Sequence, residues 1–171
     1  MKKQTIFIVT LLVVLALTTT CTRLNKIYGY HESSSAYEGG IVSAKMSGSF
    51  MSEGKTTTQG TPYQLWISIE PSDGTGEFTV SKIRLVSKSN NEIGYSNTSI
   101  QVSGLYKDIE GNMLASFFYD KLDLEYVDYQ LEVEFISTKN GEPKRAKTWL
   151  NLHRDYQEYR SNDFWDKIMN V

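Results

Sequence analysis

A strict alternation of apolar and polar residues is the feature that most constrains how this chain folds. The clearest run covers residues 63–70 and reads YQLWISIE, with Gly60-Thr-Pro62 before it and Pro71-Ser-Asp-Gly74 after it. A period of two places successive side chains on opposite sides of an extended backbone, and Gly, Pro, Asp and Ser favour turns. The same period recurs over residues 42–48, 78–85, 100–104, 113–126 and 131–135. The pattern predicts many short strands.

Residues 129–153 give the strongest hairpin signal. Asn140-Gly141 separates two alternating runs, and both residues tolerate the positive φ of a tight turn. Folding the chain about this turn predicts Leu131 opposite Leu150 on one face and Glu134 opposite Lys147 on the other. Earlier in the chain the alternating phase changes near Ser81, which predicts a β-bulge there.

About seven to nine short strands with regular turns are typical of an all-β domain, and we expect an immunoglobulin-like β-sandwich. A small closed β-barrel is the alternative. Only the C-terminal end departs from the strand period. Ser161 or Asn162 can cap a short helix over 163–171, with Phe164, Trp165 and Ile168 on one side.

The first twenty residues have the composition of a secretory signal peptide. Lys2 and Lys3 precede an apolar run over residues 6–17, IFIVTLLVVLAL, and three threonines follow it. A spanning helix needs about 20 apolar residues, whereas a signal peptide needs about 7–15 after a positive start. The segment therefore predicts export.

Cys21, the only cysteine in the chain, directly follows this segment. Together they resemble the signal of bacterial lipoproteins, in which the cysteine is lipidated and becomes the mature N-terminus. The resemblance implies a membrane anchor on Cys21. Because Thr22 is not the Asp that favours inner-membrane retention in that family, it also implies the periplasmic face of the outer membrane. The alternatives are an ordinary cleaved signal or a short retained anchor, in which Cys21 has no role.

These observations divide the chain into three parts. Residues 1–20 are expected to be the signal peptide, residues 21–40 a lipid-anchored flexible tether, and residues 41–171 a single domain. The tether prediction rests on the sequence of residues 22–40, which is rich in Ser, Gly, Tyr and charge and has no apolar period.

Charge and cysteine usage exclude several functions. The formal charge is −2 and becomes −4 once Lys2 and Lys3 are removed, with the basic residues scattered. A nucleic-acid partner is not expected, because binding one needs a basic patch. With Cys21 lipidated, no cysteine is left for a disulfide or a thiolate metal site.

No catalytic or metal-binding motif assembles from the sequence, and no cofactor is expected. His153-Arg154-Asp155 lacks the rest of a kinase signature, and Gly54-Lys-Thr lacks that of a P-loop. The acidic turn at 108–112 lacks the spacing of an EF-hand. His31 and His153 lie far apart in the chain.

Two features are candidates for contact with a protein partner. The first is a run of acids, Asp123, Glu125, Glu132 and Glu134, which alternate with apolar residues and are expected on an outward, solvated face. The second is Trp66, which falls on the polar phase of its strand and would be an interface anchor or lie under the C-terminal helix. Trp149 has the same ambiguity.

We therefore expect a non-enzymatic, lipid-anchored domain of the bacterial cell envelope that binds a protein partner or supports an envelope assembly. One alternative is an inhibitor or immunity-type protein that uses the acidic run against a cationic enzyme. The other is an envelope hydrolase whose site only the fold would assemble.

Overall fold

The computed structural model describes residues 22–162, which form twelve β-strands and no helix. The strands are β1 (Thr22–Tyr30), β2 (Ser33–Tyr37), β3 (Gly40–Glu53), β4 (Thr56–Pro71), β5 (Glu77–Ser87), β6 (Ile93–Asn97), β7 (Gln101–Gly104), β8 (Tyr106–Lys107), β9 (Met113–Leu122), β10 (Tyr129–Lys139), β11 (Glu142–Leu152) and β12 (Arg154–Asn162). Within this range no helix is long and apolar enough to cross a membrane.

The strands form two sheets. Sheet A has the order β12-β1-β4-β3-β2, with β9 paired to β4 and β8 paired to β9. Sheet B has the order β11-β10-β5-β6, with β7 also paired to β5. One of the two sheets is curled like a half-barrel. The arrangement confirms the all-β prediction and is sandwich-like, although its twelve strands exceed the seven to nine expected.

One hydrophobic core takes side chains from both sheets. Leu65 and Ile67 of β4 are completely buried, as are Leu131 and Val133 of β10. Each is on the apolar phase of its strand, as the alternation predicted. Full burial of such a side chain contributes about 1.5–3 kcal/mol.

The predicted hairpin is confirmed in register. Leu131 lies opposite Leu150, and Glu134 lies opposite Lys147. Asn140 has a φ of 51° and Gly141 a φ of 83°, the left-handed backbone that this turn requires. The bulge is confirmed too, because the register between β10 and β5 shifts at Ser81, whose Oγ donates to the carbonyl of Glu134 at 3.2 Å.

Residues 22–40 are not a flexible tether. β1 pairs antiparallel with β12 from Thr22–Asn162 to Tyr30–Arg154 and parallel with β4, and β2 pairs antiparallel with β3. The sequence of β1 lacks the apolar alternation of a core strand because most of its side chains are only half-buried and need not be apolar. Backbone pairing with distant strands holds it in place.

The residues predicted to cap a C-terminal helix belong to a strand. Ser161 and Asn162, predicted to cap the helix, are the last residues of β12. Residues 163–171, predicted to form the helix, lie outside the described residues, as do the predicted signal peptide and Cys21.

Candidate functional site

Trp66 and Phe118 form an exposed aromatic pair on sheet A. They lie directly opposite each other on β4 and β9, with ring centroids 5.0 Å apart and planes tilted by 43°. Phe118 is 45% exposed, and Trp66 is half-buried. Both face away from the core, because Leu65, Ile67, Phe117 and Tyr119, their neighbours in sequence, are buried.

The surround of this pair is polar. Exposed Lys45 lies opposite Trp66 on β3, and the next row across the three strands consists of Ser43, Ser68 and Ser116. A central aromatic contact within a hydrogen-bonding rim is typical of protein interfaces. Trp66 was identified from its phase. Phe118 was missed, although its place between two inward aromatic residues is the signal that could have indicated it.

Trp149 also faces outward, on strand β11 of sheet B. It is 39% exposed, and Nζ of Lys147 lies 4.9 Å from the centre of its ring. The ring of Trp149 already has a cation–π contact with Lys147. No such contact to the ring of Trp66 is recorded within residues 22–162. Trp66 is therefore the stronger candidate for a partner contact.

The prediction of a solvated acidic face is wrong for Glu132. Its side chain is 1% exposed although its strand phase points outward, away from the core. Lys82 and Arg84 of β5 and Lys147 of β11 flank it and cover it, with nitrogen–oxygen distances of 3.3, 2.6 and 2.7 Å. The side chain of Glu132 therefore has almost no exposed surface that a partner could contact.

The cations decide the ionisation of Glu132. Burial by itself would raise the pKa of this carboxyl, but the hydrogen bonds and charges of Lys147, Lys82 and Arg84 outweigh it and hold the pKa below its usual range. Oε2 contacts Nη2 of Arg84 at 2.6 Å without hydrogen-bond geometry, and buried Nε of Arg84 has no hydrogen-bond partner among the described residues. The ion pair is close but imperfectly hydrogen-bonded.

The other three predicted acids have different surroundings. Glu134 is 35% exposed and pairs with Lys82 at 3.3 Å and Lys147 at 3.4 Å. Asp123 and Glu125 are exposed between β9 and β10, where Oδ1 of Asp123 accepts from Oγ1 of Thr61 at 3.2 Å. The structure thus does not bring the four predicted acids together as one acidic patch.

His153 and Arg154 clamp Asp128 rather than forming a catalytic loop. Nδ1 of His153 lies 3.1 Å from Oδ2 of Asp128, and the backbone N and Nε of Arg154 donate to Oδ1 at 3.0 and 3.1 Å. The backbone hydrogen bond from Arg154 is the main cause that lowers the pKa of Asp128 to about 2, and burial opposes it. The clamp attaches the segment between β9 and β10 to the start of β12.

A polar cleft of about 910 Å³ opens between the β2–β3 turn, the β4–β5 turn and the β10–β11 hairpin. Lys144 pairs with Glu38 at 2.6 Å across it, and Lys139 pairs with Asp73. No histidine or cysteine lines it. Residues 22–162 contain no group of three His, Cys, Asp or Glu side chains placed to hold a metal ion.

Fold and surface together define a two-sheet β-domain with an exposed aromatic pair, Trp66 and Phe118, on the outer side of sheet A. A second pair, Tyr28 of β1 and Tyr156 of β12, has ring centroids 5.0 Å apart, and Tyr156 is 46% exposed. Comparison with known proteins finds no matching family, no similar curated protein and no similar solved structure.

Proposed function

We propose that this protein is a non-enzymatic, lipid-anchored domain of the bacterial cell envelope that binds a protein partner through Trp66 and Phe118. The observation that carries the proposal is the exposed aromatic pair, whose rings lie 5.0 Å apart within a serine and lysine surround. Outward aromatic side chains gain contact area when a partner covers them, and the polar rim supplies hydrogen bonds.

The anchor follows from the sequence of residues 1–21. Cleavage of the signal before Cys21 would leave the lipid one residue before β1, which begins at Thr22. Two or more acyl chains hold a small domain stably, at about 0.8 kcal/mol for each buried methylene. With Thr22 after the cysteine, the proposed location is the periplasmic face of the outer membrane.

The alternatives have less support. An inhibitor of a cationic enzyme would use the acidic run, but Glu132 is buried and Glu134 is shared between two lysines. A hydrolase would need paired carboxylates or a nucleophile with a base facing a cleft. The large cleft instead has ion pairs across it.

An immunoglobulin-like relationship is likewise a proposal. Two facing sheets with mostly antiparallel neighbours support it. The structure differs from that fold in one respect: β1 pairs parallel with β4, whereas the sheets of that fold are antiparallel.

The docking surface is tested by co-purification from native membranes. We expect wild-type protein to retain a stoichiometric partner that Phe118→Ser and Trp66→Ser lose. Trp149→Ser is the matched control, because it removes an outward Trp from sheet B. Retention of the partner by both sheet A variants, or equal loss in the control, would contradict the proposal. Thermal unfolding of each variant confirms that it is folded.

A further inference from the structure

The two ends of the described chain meet at one end of sheet A. Thr22 pairs with Asn162, and the amide of Leu24 donates to the carbonyl of Lys55 in the β3–β4 turn at 2.9 Å. Cys21 comes directly before Thr22, and one residue of strand spans only about 3.3 Å. A lipid on Cys21 would therefore hold this end of the sheet against the bilayer with no spacer.

One side of this end carries two exposed aromatic side chains among polar neighbours. The nearest acid on this side is Asp155, one row farther from the end, and it accepts from Nε2 of Gln157 at 2.8 Å. Phe50, 72% exposed, shares a row with Gln59 and Ile27, and Tyr159, 51% exposed, lies opposite Asn25 in the next row. We call this side the N-terminal face. Within residues 23–27, 50–53, 57–59 and 157–161, its only charged side chain is Arg23.

The opposite side differs in charge. Met51, 52% exposed, lies there next to Thr58 and Lys26, and Lys26 lies opposite Glu158. Glu53 and Arg160 belong to the same side. Acids are repelled by an anionic lipid surface, so charge distinguishes the two sides.

Polar side chains on the N-terminal face already have protein partners. Nδ2 of Asn25 donates to Oγ of Ser161 at 2.8 Å, and Nε2 of Gln59 donates to Oγ of Ser47 at 2.8 Å. Oγ of Ser52 lies 3.3 Å from Oγ1 of Thr57. Groups that are hydrogen-bonded within the protein lose less when water is removed from them. The face can therefore lie against lipid without leaving these groups unpaired.

We propose that the N-terminal face contacts the membrane, with Phe50 and Tyr159 at the boundary between headgroups and acyl chains. The inference rests on the proposed anchor at Cys21. The apolar ring and polar hydroxyl of Tyr159 favour this boundary, and the apolar ring of Phe50 gains from leaving water there. The lipid would hold the domain at the membrane, and the face would fix its orientation.

The test places a fluorescent probe on adjacent residues that face opposite ways. The full chain carrying Phe50→Cys or Met51→Cys is labelled at the new thiol and reconstituted in vesicles of phosphatidylethanolamine and phosphatidylglycerol. Nitroxide lipids then quench a probe near the acyl boundary. We expect quenching about threefold stronger at position 50 than at position 51, since the face lies at the depth of the headgroups. Tyr159→Cys, on the same face as Phe50, should behave like Phe50→Cys.

Each contrary outcome has a distinct meaning. Equal, weak quenching at both positions of an anchored chain would overturn the orientation alone. A probe at position 50 that is shielded from water but not quenched by lipid would show that a second copy or residues 163–171 cover the face, which also overturns it. If Cys21 itself is labelled and the chain leaves the vesicles, the anchor fails and the inference fails with it.

Discussion

The carboxylate of Glu132 lies 2.6 Å from Nη2 of Arg84, and its side chain is 1% exposed on the side of sheet B that faces away from the core. Lys82 and Lys147 complete its surround. A buried charge with several partners is costly to disrupt, because removing one member leaves the others uncompensated. Glu132 therefore contributes to the stability of the sheet rather than to partner binding.

Replacing Glu132 should destabilise the fold more than replacing Glu134. We expect Glu132→Ala to lower the free energy of unfolding by about 1.5–3 kcal/mol, because it removes the charged hydrogen-bond and ion-pair partner shared by Lys82, Arg84 and Lys147, which are themselves partly exposed. Glu134→Ala, on the same strand and 35% exposed, should cost at most about 1 kcal/mol. Urea unfolding followed by tryptophan fluorescence measures both, and equal losses would contradict the buried network.

Stability should fall in acid as Asp128 and Glu132 become protonated. Both pKa values are lowered in the folded state, to about 2 for Asp128. The stabilisation is therefore complete above the unfolded-state pKa and is lost as the pH falls from about 4 to about 2. The midpoint of urea unfolding, measured across this range, should decrease less steeply in Asp128→Asn than in the wild type. An unchanged slope would show that the clamp with Arg154 and His153 does not contribute.

The close approach of Gly48 to Gly60 should make Gly48 intolerant of a side chain. A Cβ on Gly48 would lie 2.5 Å from the Cα and N of Gly60, where the register between β3 and β4 shifts. Because backbone atoms must move, we expect Gly48→Ala to cost about 1–3 kcal/mol or more. Gly104→Ala is the matched control, since nothing lies within 4 Å of its Cβ position. Thermal unfolding compares the melting temperatures of the two variants. Equal melting temperatures would contradict the close approach of Gly48 to Gly60.

Hydrogen exchange distinguishes β1 as a strand from a flexible tether. Strand pairing on both sides should make the amides of residues 24–27 exchange slowly, because β12 and β4 flank them. The exposed segment 98–100 provides a fast-exchanging reference. If the peptide covering 22–30 exchanges as fast as that segment, β1 is not part of the sheet.

The sequence was informative where structure is set locally. Asn140-Gly141 fixed the register of its hairpin, and alternation placed Leu65 inward and Trp66 outward. β1 was missed because its partner β12 lies more than 120 residues away in the chain and its side chains are half-buried. Glu132 was misplaced because the cations that bury it come from β5 and β11, and alternation within one strand does not indicate its neighbours.

The most direct test of an anchored binding domain is the intact mass and membrane fractionation of wild-type protein beside Cys21→Ser. We expect the wild type to remain with the membrane, with the mass of a chain that begins at Cys21 and carries acyl groups. Cys21→Ser should lose both the acyl mass and the membrane association. An unmodified wild-type mass, or a Cys21→Ser variant that fractionates like the wild type, would contradict the lipid anchor.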